Sequence, residues 1–148
     1  GSEMCIRDRG DGDKYQECEE IIAKKKLKRV NMVGYQMSIP YIDRASILCI
    51  TSVIEGLPTV FTEAMNLGVV PIGFDSFRAI YDMIDDGKNG FIIRDNDYKA
   101  YAQTLIQLAT NDTLRHEIAS NAKLQKGNYD IEHIGPLWIK AFRKHGIV

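Results

Sequence analysis

The stretch "SILCITSVIEGLPTVFTEAMNLGVVPIGF", residues 46–74, holds three patterns in a row. Residues 46–52 are an apolar run without polar alternation, which suits a strand covered on both faces in a parallel sheet. A corner follows at Glu55 to Pro58. Thr59 to Leu67 then reads as a helix, and Gly68 is its stop signal. Residues 69–74 are the next apolar run. Pro71 inside it predicts an edge strand or a bulge, because proline cannot donate to a ladder. Strand, helix and strand joined this closely are the repeating unit of a parallel α/β sheet.

The pattern continues in both directions. Upstream, Tyr15, Cys18, Ile21, Ile22 and Leu27 follow helical spacing and lead into a basic run, Lys24, Lys25, Lys26, Lys28 and Arg29. That run could face anionic lipid, but a solvated helix C-terminus favoured by the macrodipole is the preferred reading. Val30 to Val33 predicts a short strand closed by Gly34, and residues 41–45 one helical turn. Downstream the spacing predicts a short helix over Arg78 to Ile84, a turn at 85–90 and a strand over Phe91 to Ile93. Two helices follow, Asp97 to Ala109 and Asp112 to Lys123, the second with Asp112 as N-cap. A last helix, Ile131 to Lys144, gathers Ile131, Ile134, Trp138, Ala141 and Phe142 on one face, with Gly135 and Pro136 expected to kink it or delay its start. The fold class predicted is α/β, a Rossmann-like parallel sheet with flanking helices.

Composition narrows the function classes. With 148 residues, 45% hydrophobic content and a net charge of −1, the chain has the size and apolar content of one globular domain. Its near-neutral balance argues against nucleic acid as a partner. Neither a long apolar span nor a secretory leader is visible. Cys5, Cys18 and Cys49 form no CxxC pair, which suits a reducing cytoplasm better than a disulfide framework. His116, His133 and His145 lie too far apart in sequence for the usual ligand pairs, so no metal is expected. No cofactor is expected either.

The first nine residues, GSEMCIRDR, show no helical or strand periodicity. Read back into codons, they resemble a transposase-based sequencing-library adaptor. The expected division is a non-native segment at 1–9 and a native, partial α/β lobe at 10–148.

Glu55 and Glu63 flank the corner and the start of the helix. In an open parallel sheet, ligands bind beyond the carboxyl ends of the strands. A helix starting near Thr59 would aim its free N–H groups at that crevice, as a phosphate site does. Gly56 allows close backbone approach, and Pro58 suits the last turn position or the first helical one. Carboxylates only accept hydrogen bonds, so the pair suits hydroxyls on either side of a diphosphate better than the phosphates themselves. On spacing alone a plainer reading stays open, with Glu63 complementing the helix dipole and Glu55 a surface acid.

"SVIEGLPTVFTEAMNLGVVPIGFDS", residues 52–76, resembles the E-x7-E region of family 4 glycosyltransferases, retaining enzymes with the two-lobed GT-B fold. "GDGD" at 10–13 is similar to their first glycine turn, "RVNMVGYQ" to the next strand and turn, "IDDGKNGFII" to the segment after the donor site, and Trp138 to the closing helix. The resemblance implies the C-terminal, donor-binding lobe. Glu55 would contact the donor sugar's hydroxyls and serve catalysis by positioning it, with the backbone of Gly56, Leu57 and Pro58 alongside. Amides near Thr59 and Val60 would face the diphosphate and Glu63 would hold the ribose. Gly34, Tyr35, Gln36 and Met37 would lie near the base. It further implies a nucleotide-sugar donor, UDP-hexose or UDP-N-acetylhexosamine, and a glycan or lipid-linked acceptor held by an N-terminal lobe. The place of action would be the cytoplasm, at the inner face of the membrane with peripheral contact.

Two departures matter. The family's first strand and a basic Arg/Lys pair lie upstream of the glycine turn, where the adaptor-like nonamer stands here. The lobe is therefore expected to lack its first strand. Each lost charge-assisted contact weakens donor binding by about 1.5 to 3 kcal/mol, so the fragment is expected to be inactive. Rival readings are a nucleotide-sugar epimerase of the same build, and a receiver-like signalling domain, which would need a phosphoacceptor aspartate where this chain has Thr51 and Ser52.

Overall fold

A computed structural model describes residues 5–125 and 128–147. The chain forms two compact units, Gly1–Ser38 and Ile39–Val148.

The first unit is a parallel strand-helix-strand crossover. Strands β1 (Ile6–Asp8) and β2 (Val30–Met32) run parallel, with Ile6 opposite Val30, and helix α1 (Tyr15–Lys24) crosses between them. The expected absence of a first strand is thus corrected. Ladder pairing uses main-chain groups, so a segment with no side-chain periodicity can still complete it. Ile6 N–H donates to Arg29 C=O at 2.8 Å and Val33 N–H to Asp8 C=O at 2.9 Å. All three β1 residues remain exposed, which is why no burial pattern marks the strand in the sequence.

The second unit holds a three-stranded parallel sheet in the order β3-β4-β5, from Ile47–Ile50, Val70–Phe74 and Phe91–Ile93. Helices α2 (Ile39–Ile42), α3 (Thr59–Leu67) and α4 (Ile80–Met83) come before or between these strands. Helices α5 (Tyr98–Thr110), α6 (Asp112–Lys123) and α7 (Ile131–Lys144) follow them. Helix α3 spans the residues predicted for it and ends at Gly68, whose φ of 73° is the left-handed cap that glycine adopts without penalty.

Strand β4 is central and wholly buried. Its period-two alternation divides the core. Val70 packs with Leu108 and Ile118, and Ile72 and Phe74 with Tyr101. On the opposite face, a Cβ at Gly73 would lie 3.0 Å from both Phe61 and Ile80, so the absence of a side chain there lets these large residues reach the strand. Burying large side chains such as these stabilises by about 1.5 to 3 kcal/mol each.

The edge position predicted from Pro71 is corrected by this arrangement. Val70 N–H donates to Ser46 C=O on the β3 side. Successive strand residues point their main-chain groups to opposite sides, so the nitrogen of Pro71 faces β5. The β4–β5 register begins one residue later, at Ile72 opposite Phe91. The absent donor falls where no ladder bond is due. Gly90 completes the fit, since a Cβ there would meet the Pro71 carbonyl oxygen at 2.8 Å.

Helix starts differ by small shifts from the pattern. Asp97 caps α5, its side chain accepting from Ala100 N–H at 2.9 Å. Asn111, not Asp112, caps α6 by accepting from Leu114 N–H at 3.0 Å, while Asp112 pairs with Arg115 at 2.7 Å. Both residue types cap well, and the geometry of the preceding turn selects one of them. Helix α7 starts at Ile131 without delay and carries Pro136 inside it. The Glu132 carbonyl deprived of a donor by Pro136 lies on an exposed residue, where water can supply the bond. No α7 residue is fully buried, and Trp138 packs on Phe142 with ring centroids 5.5 Å apart.

Candidate functional site

The carboxyl ends of β3, β4 and β5 lead into three loops, and the first of these is the acidic corner. From Ile50 the chain passes through residues 51–57 to Pro58, which is buried and occupies the N-cap position of α3 with φ −71° and ψ 91°. Proline offers no side-chain cap. Phe61 N–H turns back to Pro58 C=O at 2.9 Å. The amides of Thr59 and Val60 have no protein acceptor among the described residues, so two donors stand at the positive end of a nine-residue helix. That end can hold an anion.

Glu63 lies one turn along the same helix and is half-buried. Among the described residues its Oε2 has no hydrogen-bond partner, and it has no solvent access. A buried acceptor in this state costs about 1 to 3 kcal/mol, and a ligand hydroxyl would satisfy it once the side chain turns to meet it. Glu55 is half-buried on the corner, between the exposed apolar side chains of Ile54 and Leu57. Gly56 has open space where a Cβ would stand. The corner can therefore admit a ligand close to its main chain. Glu55, Gly56, Leu57, Pro58, Thr59, Val60 and Glu63 all lie on one continuous strand-corner-helix segment of the second unit.

Gly34 to Met37 belong to the first unit. Gly34 has φ 66°, which turns the chain after β2. Gln36 is held from both directions: its Nε2 donates to Val33 C=O at 3.2 Å, and its own carbonyl accepts from Arg9 at 2.6 Å. Tyr35 and Met37 project into solvent, 79% and 77% exposed.

The sequence reading missed the residues that join the loops of the second unit. Ser76 Oγ donates to Ser52 C=O at 2.6 Å, linking the β4 loop to the corner. Asp75 accepts from the Asp95 amide and from the Tyr81 hydroxyl, the latter at 3.4 Å. Their signal was present only as the polar pair closing "VVPIGFDS", and nothing in that pair names its partners. Among the described residues no group of three or more His, Cys, Asp or Glu could hold a metal ion, and no helix is long and apolar enough to cross a membrane.

A family model described as "Glycosyl transferases group 1" matches residues 5–125. The Campylobacter jejuni GalNAc-alpha-(1->4)-GalNAc-alpha-(1->3)-diNAcBac-PP-undecaprenol alpha-1,4-N-acetyl-D-galactosaminyltransferase is 30% identical over 132 residues, covering 88% of this chain and 36% of that protein. The poly(ribitol-phosphate) alpha-N-acetylglucosaminyltransferase of Staphylococcus aureus is 29% identical over 138 residues, covering 90% and 28%. A crystal structure of an S. aureus TarM variant in complex with Fondaparinux, alpha-GlcNAc-glycerol and UDP matches with a TM-score of 0.82 at 26% identity, over 94% of this chain and 29% of that one. This chain thus spans about a third of the length of the curated relatives it matches. With the family match running through both units and a parallel α/β architecture shared with GT-B glycosyltransferases, the chain belongs to the group 1 glycosyl transferases.

Proposed function

We propose that this chain is the donor-binding lobe of a retaining glycosyltransferase, which moves a sugar from a UDP-hexose or UDP-N-acetylhexosamine to a glycan or lipid-linked acceptor. The observation that carries this reading is the orphaned Glu63 carboxylate oxygen one turn beyond two unclaimed amides. An anion acceptor and a hydroxyl acceptor at that spacing match a diphosphate joined to a ribose. In this reading the Thr59 and Val60 amides hold the diphosphate and stabilise it as it leaves. Glu63 binds the ribose hydroxyls, and the base-proximal reading of Gly34, Tyr35, Gln36 and Met37 rests on the family resemblance alone. Glu55 fixes the donor sugar beside Gly56, Leu57 and Pro58 and is the catalytic position of this lobe. No metal is assigned a part.

The acceptor would be held by a further lobe of the longer protein, and residues 10–148 would be the native part, with 1–9 adaptor-derived. By itself the chain would bind donor weakly and not turn over. Relatives whose names include an undecaprenol-linked and a ribitol-phosphate acceptor support action at the inner face of the cytoplasmic membrane, with peripheral contact.

Ligand-observed NMR of the chain with UDP, GDP and their sugar conjugates at fixed salt tests the reading, with Glu63→Ala as control. Base-selective binding that weakens about 10- to 150-fold in Glu63→Ala is expected for one charge-assisted contact of about 1.5 to 3 kcal/mol. Binding of equal strength in the variant would refute the site.

A further inference from the structure

Residues 51–57 carry Glu55 from the end of β3 to Pro58 without regular structure. Burial does not hold them: Val53 is 71% exposed, Ile54 86% and Leu57 47%. Among the described residues, the only hydrogen bond they make is the one that Ser52 C=O accepts from Ser76 Oγ at 2.6 Å. The arm bearing Ser76 is anchored on both sides. Asp75 N–H donates to Ile93 C=O at 2.8 Å, the Asp75 carboxylate accepts from the Asp95 amide, and Phe77 is buried in the core. A short bond from a fixed arm to an otherwise untethered corner sets where that corner lies.

We propose that Ser76 is a positioning residue for Glu55, fixing the corner at the height from which its carboxylate meets the donor sugar. The inference rests on the reading of Glu55 as the sugar contact. It separates the two halves of the donor. The nucleotide half depends on α3, which is fastened independently by the buried side chains of Phe61, Ala64 and Met65. The sugar half depends on the corner, and so on Ser76. Removing the Ser76 hydroxyl should therefore loosen the sugar and leave the nucleotide in place.

The test is saturation-transfer NMR on the whole chain with UDP-N-acetylglucosamine and UDP-glucose, reading sugar protons against uridine protons. For Ser76→Ala, uridine signals should hold and the sugar-to-uridine ratio should fall at least twofold. Ser76→Thr, which keeps the donor, should restore the ratio. An unchanged ratio in Ser76→Ala overturns the proposal, as does a parallel loss of uridine and sugar signals with a lowered melting temperature, which would mean a structural role only. If the unaltered chain shows no uridine signal, the donor-site reading itself fails and the role of Ser76 falls with it, a result distinguishable from the others because no variant is needed to see it.

Discussion

Replacing Glu63 by methionine should make the fold more stable and the site useless. Methionine matches glutamate in length and helix propensity, so the exchange leaves α3 otherwise undisturbed. What changes is the Oε2 atom, which has no partner among the described residues and no solvent access. An unsatisfied buried acceptor costs about 1 to 3 kcal/mol, and its replacement by an apolar group of similar shape is neutral or stabilising. Glu63 is only half-buried, and its other oxygen loses hydration in the exchange, so the gain belongs at the low end, about 1 kcal/mol. For a chain of this length that corresponds to a rise in melting temperature of about 2 to 4 °C. Thermal denaturation followed by circular dichroism, without nucleotide, reads the first effect, and a UDP titration of the same sample reads the second. Raised stability with lost UDP binding is the expected pair. A lower melting temperature for Glu63→Met would refute the reasoning, because it would mean that the carboxylate serves the fold and not a ligand.

Two further outcomes follow from the packing. Gly90→Ala would push a Cβ to 2.7 Å from the Pro71 ring and 2.8 Å from its carbonyl oxygen, an overpacking that should cost about 1 to 3 kcal/mol and lower the urea midpoint at unchanged slope. Gly12→Ala, with open space at that position, is the neutral control. Tyr101 is buried and donates to Ile72 C=O at 3.0 Å, and burial pushes its phenol well above the usual value. The folded state therefore keeps the proton at a pH where the unfolded phenol, near about 10, releases it. The contribution of Tyr101 is complete below that pH and is lost as pH rises above it. Tyr101→Phe should cost about 1 kcal/mol at pH 7 and flatten the alkaline fall in stability, as read by urea unfolding at pH 7 and pH 11.

Local physics made much of this chain legible. The helix Thr59–Leu67, its left-handed stop at Gly68, the strand Phe91–Ile93 and the helix Ile131–Lys144 all lie where spacing and turn chemistry place them. Each depends on groups within a few residues of one another. The corner between β3 and α3, and hence the amides at Thr59 and Val60, was readable for the same reason. Boundaries that turned on a one-residue choice were not, as at Asn111 and Asp112.

The remaining features belong to the tertiary structure. Pro71 reads as an edge residue until its neighbour is known: the register that starts β5 opposite Ile72 is what makes a central proline harmless. Strand β1 has no side-chain signature because all of its pairing is main-chain and all of its residues are exposed. The Ser76–Ser52 bond spans 24 positions, and no local pattern encodes a contact at that distance. The sequence alone determined that two carboxylates would flank a helix start in a parallel α/β lobe, because corner, helix and stop signal are local. Only the folded chain decided that Glu63 Oε2 would be enclosed without a partner and that the Glu55 corner would hang from Ser76, because burial and loop-to-loop bonding exist only once distant segments are packed together.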